Sequence, residues 1–285
     1  MRNEREDIRQ RLQSMKSLHS LPTVIAKITQ MLQNPTTNAD ELGKSIKADP
    51  MLASTVLRLV NSAFYGLPGR VGSISHAVVL LGFSTVKNIV LTASMLEMFK
   101  VDTTGAGNFN AQEFCKHSLA CGVIAQYIAK TTGYEQSEEC FLAGLIHDLG
   151  KMIMLQMMPD DFKRVVDCAD KTKSLFYESE RKLLSVTHQD VGGILVEQWH
   201  LPPDIQIAVA SHHNPSPESR LAVIVHCADV FARALGYGNG GDKKIPEISD
   251  VAWDTLRLDK INLHGLFDNI EKEWQKADSF YLQMT

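Results

Sequence analysis

No CxxC pair occurs in this sequence, and its five cysteines, Cys115, Cys121, Cys140, Cys168 and Cys227, are odd in number and lie in helix-like apolar surroundings. They read as buried, reduced thiols and not as a disulfide framework. No basic block is present either: 29 Lys+Arg against 33 Asp+Glu leave a net charge of −4, which argues against nucleic acid as a partner. No apolar run approaches about 18 residues, and the N-terminus, MRNEREDIRQ, is charged from its second residue, so neither a membrane span nor a signal peptide is expected. A cytoplasmic location is the resulting expectation. No convincing period-2 strand, internal repeat or low-complexity tract stands out beyond one glycine-rich loop, GYGNGGDKK. Apolar residues are abundant instead: at 44% of 285 positions they suffice for a sizeable core, in one large domain or two ordinary ones.

The patterning is helical throughout. Residues 4–18 carry Ile8, Leu12 and Met15 at helical spacing, an amphipathic helix or a leader that we place in residues 1–20. A second stripe, Val24, Ile25, Ile28, Met31 and Leu32, follows Pro22 and ends at Asn34-Pro35. Asn38 with Glu41 has capping-box spacing for a helix over 39–48, and Asp49-Pro50 reads as cap and first turn of the next, so Asp49 is a cap before it is an acid. SISHAVVLLG closes at Gly82 and another apolar helix follows it. These helices form a module over 21–105, ending in the small, polar linker DTTGAGNFN. The remainder, 106–285, opens with Asn110 capping a long helix and continues as further helices, with Ser137 expected to cap the one carrying HDLGK. The fold class predicted is all-α, a multi-helix N-terminal module packed on a C-terminal helical bundle.

The stretch FLAGLIHDLGKMIML, 141–155, is the most informative. It is almost wholly apolar, yet carries His147, Asp148 and Lys151, residue types that are costly to bury without partners. A cation would compensate the His and the carboxylate, which makes this helix the candidate floor of a metal site. Other donors follow in order: Glu113 and His117 at i and i+4, His188 at a helix start, the adjacent His212 and His213 at a helix end, and Asp229 inside an apolar helix. Each has a plainer reading as well. Glu113 sits three residues after Asn110, where it completes a cap; His117 and His188 taken singly suit ordinary core or surface positions; Asp229 has Arg233 at i+4 as an ion-pair partner. His19, His76, His200, His226 and His264 belong to the background. One shared cluster explains the series more economically than several independent buried polar groups do.

In that order, His117, HDLGK at 147–151 and Asp229 resemble the defining series of the HD superfamily of metal-dependent phosphohydrolases, and Glu113, His188 and His212-His213 resemble the extra ligands of its HD-GYP branch. His212-His213 is followed by Asn214-Pro215, with no GYP sequence, which departs from that branch. LPTVIAKITQML, IKADPMLASTVLRLVNSAFYG and ISHAVVLLGFSTVKNIV instead resemble the HDOD domain, the HD-related output domain of bacterial signalling. The resemblance implies an HD-like C-terminal bundle holding one or two divalent ions (iron, manganese or zinc) on Glu113, His117, His147, Asp148, His188, His212, His213 and Asp229. It implies further that Lys151 would meet a substrate phosphate and that Asp148 would be catalytic if the protein is an enzyme. Two functions stay open: a regulatory output protein acting on a signalling protein partner, or a phosphohydrolase acting on a nucleotide or phosphoester. Neither nucleic acid nor membrane is an expected partner.

Overall fold

The computed structural model describes Met31 and residues 37–98 and 103–281. The expected helix over 4–18 lies outside them, as does all of the stripe after Pro22 except Met31. Among the described residues there is no strand. The first helices are α1 (Ala39–Lys47), α2 (Pro50–Val60) and α3 (Ile74–Met98). Asn38 Oδ1 accepts from the backbone N–H of Asp40 and Glu41, and Asp49 Oδ1 from that of Leu52, so both act as caps. Gly82 lies inside α3 at φ 82° and ψ 164° and bends it into two segments. A compact cluster that includes Leu42, Ile46, Val56, Val60, Ile74, Val86 and Ile89 forms the core of this region.

The C-terminal region comprises α4 (Ala111–Thr131), α5 (Ser137–Ile146), α6 (Leu149–Met157), α7 (Pro159–Thr172), α8 (Phe176–Leu183), α9 (His188–Gln198), α10 (Pro203–Ser211), α11 (Arg220–Ala234), α12 (Asp250–Leu256), a 3-10 turn (Leu258–Lys260) and α13 (Leu263–Tyr281). Asn110 caps α4 as expected, whereas α5 starts at Ser137 without any side-chain cap. Helix α4 runs through the centre, packed on α5, α11 and α13, while α6 lies on α9. One large core joins these helices, from Phe114 and Ile124 through Met152 and Trp199 to Ile224 and Ile270. Each fully buried Leu, Ile or Phe in it contributes roughly 1.5–3 kcal/mol. The two regions meet where α3 packs on α5: Asn88 Nδ2 donates to Glu138 O at 2.9 Å, and the Phe64 and Phe141 rings stand 5.7 Å apart.

Two helical stretches, Ile74–Ser94 and Ser137–Met157, are long and apolar enough to cross a membrane by length and composition, although neither is an unbroken apolar run. The second is 89% buried inside the protein, which is how a core helix uses such a composition.

Candidate metal centre

The FLAGLIHDLGKMIML stretch is two helices and not the one expected. Helix α5 ends at Ile146 and α6 begins at Leu149, so His147 and Asp148 form the corner between them. Asp148 occupies the N-cap position of α6 without capping it, and its carboxylate turns into the protein. Gly150 allows the corner to form against α9: a Cβ there would sit 1.9 Å from the His188 carbonyl oxygen, so no side chain fits. The apolar run thus carries the polar pair at a break, where both side chains reach one point.

Two groups of donors converge on that corner. The first consists of Asp148, His188, His212 and His213, and the second of His117, Cys121, His147 and Asp229; in each, one ligand atom per residue falls within 4.8 Å of the others. Asp148 stands between them. Its Oδ1 is 3.1 Å from His188 Nε2 and 3.6 Å from His212 Nε2, while Oδ2 is 3.4 Å from His147 Nε2 and 3.9 Å from His117 Nε2. His117, His147, Asp148, His188 and His212 are wholly buried, and His213 is half-buried with its ring stacked on Tyr177 at 4.2 Å.

Hydrogen bonds fix how the rings present themselves. The Nδ1–H of His147 donates to Gly144 O (2.7 Å), that of His212 to Val209 O (2.9 Å), and that of His188 to Glu180 Oε2 (2.6 Å). Each Nε2 therefore turns a lone pair inward, the arrangement in which histidines are oriented as metal ligands by a carbonyl or carboxylate behind them. The inward atoms are poorly satisfied by one another. His188 Nε2 lies 3.4 Å from His212 Nε2 and 3.2 Å from His213 Nε2, and neither His147 Nε2 nor Asp148 Oδ1 makes a well-directed hydrogen bond. Buried acceptors gathered around a carboxylate call for a cation. This donor set, imidazole nitrogens and carboxylate oxygens, suits a divalent ion of the borderline class.

The electrostatics agree. Burial would raise the Asp148 carboxyl, but Lys151 and His147 overcome it and hold Asp148 well below the usual carboxylate range. Asp229 is likewise held low, with Arg233, His117 and His147 together prevailing over burial. Burial pushes His212 down to about 4 and His213 well below the ordinary value, so both stay neutral and able to coordinate. His188 shifts the other way: burial opposes charge, but Glu180 and Asp148 together outweigh it and favour positive charge on that ring. Burial, with Asp229 and Asp148 nearby, raises the Cys121 thiol well above its ordinary value and makes it a poor thiolate donor.

The glycine-rich loop covers this cluster. Gly238, at φ +73°, lies so close to α4 that a Cβ would come within 2.4 Å of Glu113 O and His117 N. The Lys151 ammonium, fully buried, donates to Asp148 Oδ2 (2.6 Å) and to Gly240 O (2.8 Å), and sits 5.0 Å over the Phe176 ring. Asp242 accepts from Arg233 Nη1 with both oxygens (3.1 Å each) and from Phe176 N (2.9 Å).

Of the residues expected at the site, His117, His147, Asp148, His188, His212, His213, Asp229 and Lys151 come together. Glu113 does not. It is exposed at the third position of α4, where its backbone N–H donates to Asn110 Oδ1. That bond uses only its backbone, and its exposed carboxylate is not among the converging donors, so the metal role is withdrawn. The i+4 partner foreseen for Asp229 is present: Arg233 Nε donates to Asp229 Oδ1 at 2.8 Å. Glu180 and Cys121 were not anticipated. Glu180 is the last residue of the polar run YESE on α8, where it and Ser179 are buried while Tyr177 and Glu178 are not. Cys121 is four residues after His117 on the same face of α4, a spacing that could have revealed it. His226 remains structural, donating from Nδ1 to His212 O (2.7 Å) and accepting from Ser249 N (3.0 Å).

The fold and this cluster define an all-α protein with a buried His/Asp constellation suited to a divalent metal. The HDOD domain family matches residues 18–215, more than half of the chain, and the chain belongs to that family. Among solved structures it is similar to an HDOD domain protein of unknown function from Geobacter sulfurreducens, with 25% identity, a TM-score of 0.76 and coverage of 90% of this chain and 91% of that one. It also shares the fold of a presumed phosphohydrolase from Shewanella amazonensis SB2B, with 22% identity, a TM-score of 0.73 and coverage of 95% and 97%. An uncharacterized protein of Treponema pallidum (strain Nichols) is 23% identical over 195 residues, 68% of this chain. The chain spans 37% and 24% of the lengths of the two curated relatives it matches.

Proposed function

We propose that the chain is a regulatory output protein of the HDOD type, working in the cytoplasm through contact with a signalling protein partner and retaining an HD-type divalent metal site. The observation that carries this reading is the position of Lys151. In the superfamily resembled here that lysine is associated with substrate phosphate, yet in this chain its ammonium is sealed in, with Asp148 on one side and Gly240 O on the other. Gly240, in the loop over 238–242, supplies that second contact. Met51, Val79, Leu80 and Phe83 meanwhile expose apolar side chains in the N-terminal region, surface that a protein partner could cover. Held this way, the ion ties α5, α6, α9 and α10 together and couples their packing to metal supply.

The second reading is a metal-dependent phosphohydrolase on a nucleotide or phosphodiester, favoured by how complete the donor set is. A bound divalent ion would supply a hydroxide nucleophile near neutral pH and Lewis-acid stabilisation of phosphoryl charge. Asp148 would orient the ion, and Lys151 would have to leave Gly240 O to reach phosphate. A panel of phosphodiesters and nucleotides, assayed with the metal-reconstituted protein, decides between the two. We expect no hydrolysis above that of Asp148→Ala; turnover that vanishes in a folded Asp148→Ala would overturn the regulatory reading.

A further inference from the structure

Two donor groups suggest two ions, but the groups are not equally free to bind them. In the group of Asp148, His188, His212 and His213, the rings of His188 and His212 have their Nδ1 protons committed outward, to Glu180 and to Val209 O. Their Nε2 atoms face Asp148 Oδ1, which itself lacks a well-directed hydrogen bond. The other group already has a cation at its carboxylate. His117 Nε2 lies 3.1 Å from Asp229 Oδ1. The same Asp229 oxygen accepts from Arg233 Nε at 2.8 Å. The Arg233 side chain is 6% exposed and reaches on to Asp242, itself 2% exposed, so one guanidinium neutralises two buried carboxylates. A Cβ on Gly240 would come within 2.7 Å of that guanidinium and 3.1 Å of His117 Nε2, so the loop closes over them both. His147 Nε2, the remaining imidazole nitrogen, faces the Asp148 carboxylate at 3.4 Å.

We propose that Arg233 stands in for the second ion: the protein binds one divalent metal, on Asp148, His188, His212 and His213, while the guanidinium supplies the positive charge at Asp229. A metal ion at Asp229 would stand beside the buried Arg233 guanidinium, like charge against like charge, and displacing Arg233 would strand Asp242 in the interior. This inference rests on the metal-binding reading above and specifies its stoichiometry and which residues hold the ion.

The test is metal content of the full chain by elemental mass spectrometry after reconstitution with manganese, iron or zinc, each variant being checked for folding by circular dichroism. Wild type should carry one equivalent, His212→Ala none, and Asp229→Asn still one, because Asp229 is not a ligand. Arg233→Gln should gain a second equivalent. Two equivalents in wild type, loss of the metal in folded Asp229→Asn, or a single equivalent in folded Arg233→Gln would each overturn the proposal while leaving metal binding intact. No metal in reconstituted wild type would overturn both. Should Arg233→Gln fail to fold, wild type and Asp229→Asn still decide.

Discussion

The two regions of this protein solve the problem of burying a core in opposite ways. The N-terminal region keeps its buried polar groups small and neutral, Thr55, Asn88, Thr92 and Ser94, and leaves its caps at the surface. The C-terminal region buries five histidines, Asp148, Lys151, Glu180 and Asp229 among its helices. Desolvating such groups costs several kcal/mol per ion, and only mutual pairing or a metal repays it. The difference means that the first region's stability follows from packing, whereas the second's is tied to the protonation of these groups. All three tryptophans, Trp199, Trp253 and Trp274, belong to the C-terminal region, so tryptophan fluorescence follows that region alone while circular dichroism follows both.

The largest effect expected comes from breaking the charged corner. Asp148→Ala removes the carboxylate that Lys151 needs and leaves a buried ammonium with Gly240 O alone. It should cost about 3–5 kcal/mol in the fluorescence-detected urea transition. An effect below about 1 kcal/mol would mean that the cluster is hydrated and that the contrast between the regions is only apparent.

A pH titration comes next. His212 titrates near 4 in the folded protein against about 6.5 unfolded, so between these values the unfolded chain binds more protons. The stabilisation is therefore present above pH 6.5 and lost as pH falls towards 4, by about 3 kcal/mol, offset in part by His188, which Glu180 and Asp148 shift the other way. His212→Asn should flatten the fall measured by fluorescence. An unchanged slope in the variant would place the acid sensitivity elsewhere.

Much of this contrast was legible in the sequence, and the exceptions have physical reasons. Asn38, Asp49 and Asn110 could be read as caps because a cap is a local interaction within three residues. The HD pair and the later histidines stood out because polar residues inside apolar helices are costly. The break at His147-Asp148 did not, since the hydrophobic pattern of Phe141–Leu155 continues unperturbed across it. Glu113 misled because the i, i+4 spacing with His117 does not report that Glu113, in the first turn of α4, is exposed while His117, in the next, is buried. The closure of the loop over Lys151 was beyond reading: it depends on a contact between residues 151 and 240, and nothing local to GYGNGGDKK reports where that loop lies.

Metal supply gives a third, slightly smaller effect. An ion at 100 times its dissociation constant should stabilise the C-terminal region by about 2.7 kcal/mol, and a chelator should remove that increment. The increment should be absent in His212→Ala, and the early part of the circular dichroism transition, which includes the N-terminal helices, should not move. A shift of equal size in both signals would mean that the two regions unfold as one unit through the contact of α3 with α5.

The smallest effect sharpens the comparison from the other side. Asp49 accepts a single hydrogen bond, from Leu52 N at 3.0 Å, at the exposed start of α2. Asp49→Ala removes one cap and strands no buried charge, so it should cost about 1 kcal/mol. The loss should appear in circular dichroism and be independent of metal. It should leave the fluorescence transition in place, because no tryptophan lies in that region. Asp148→Ala should behave in the opposite way on every count. If Asp49→Ala moved the fluorescence midpoint as far as Asp148→Ala does, the stability of the buried cluster would depend on the N-terminal helices. The division of labour between a packed region and a charged one would then be wrong.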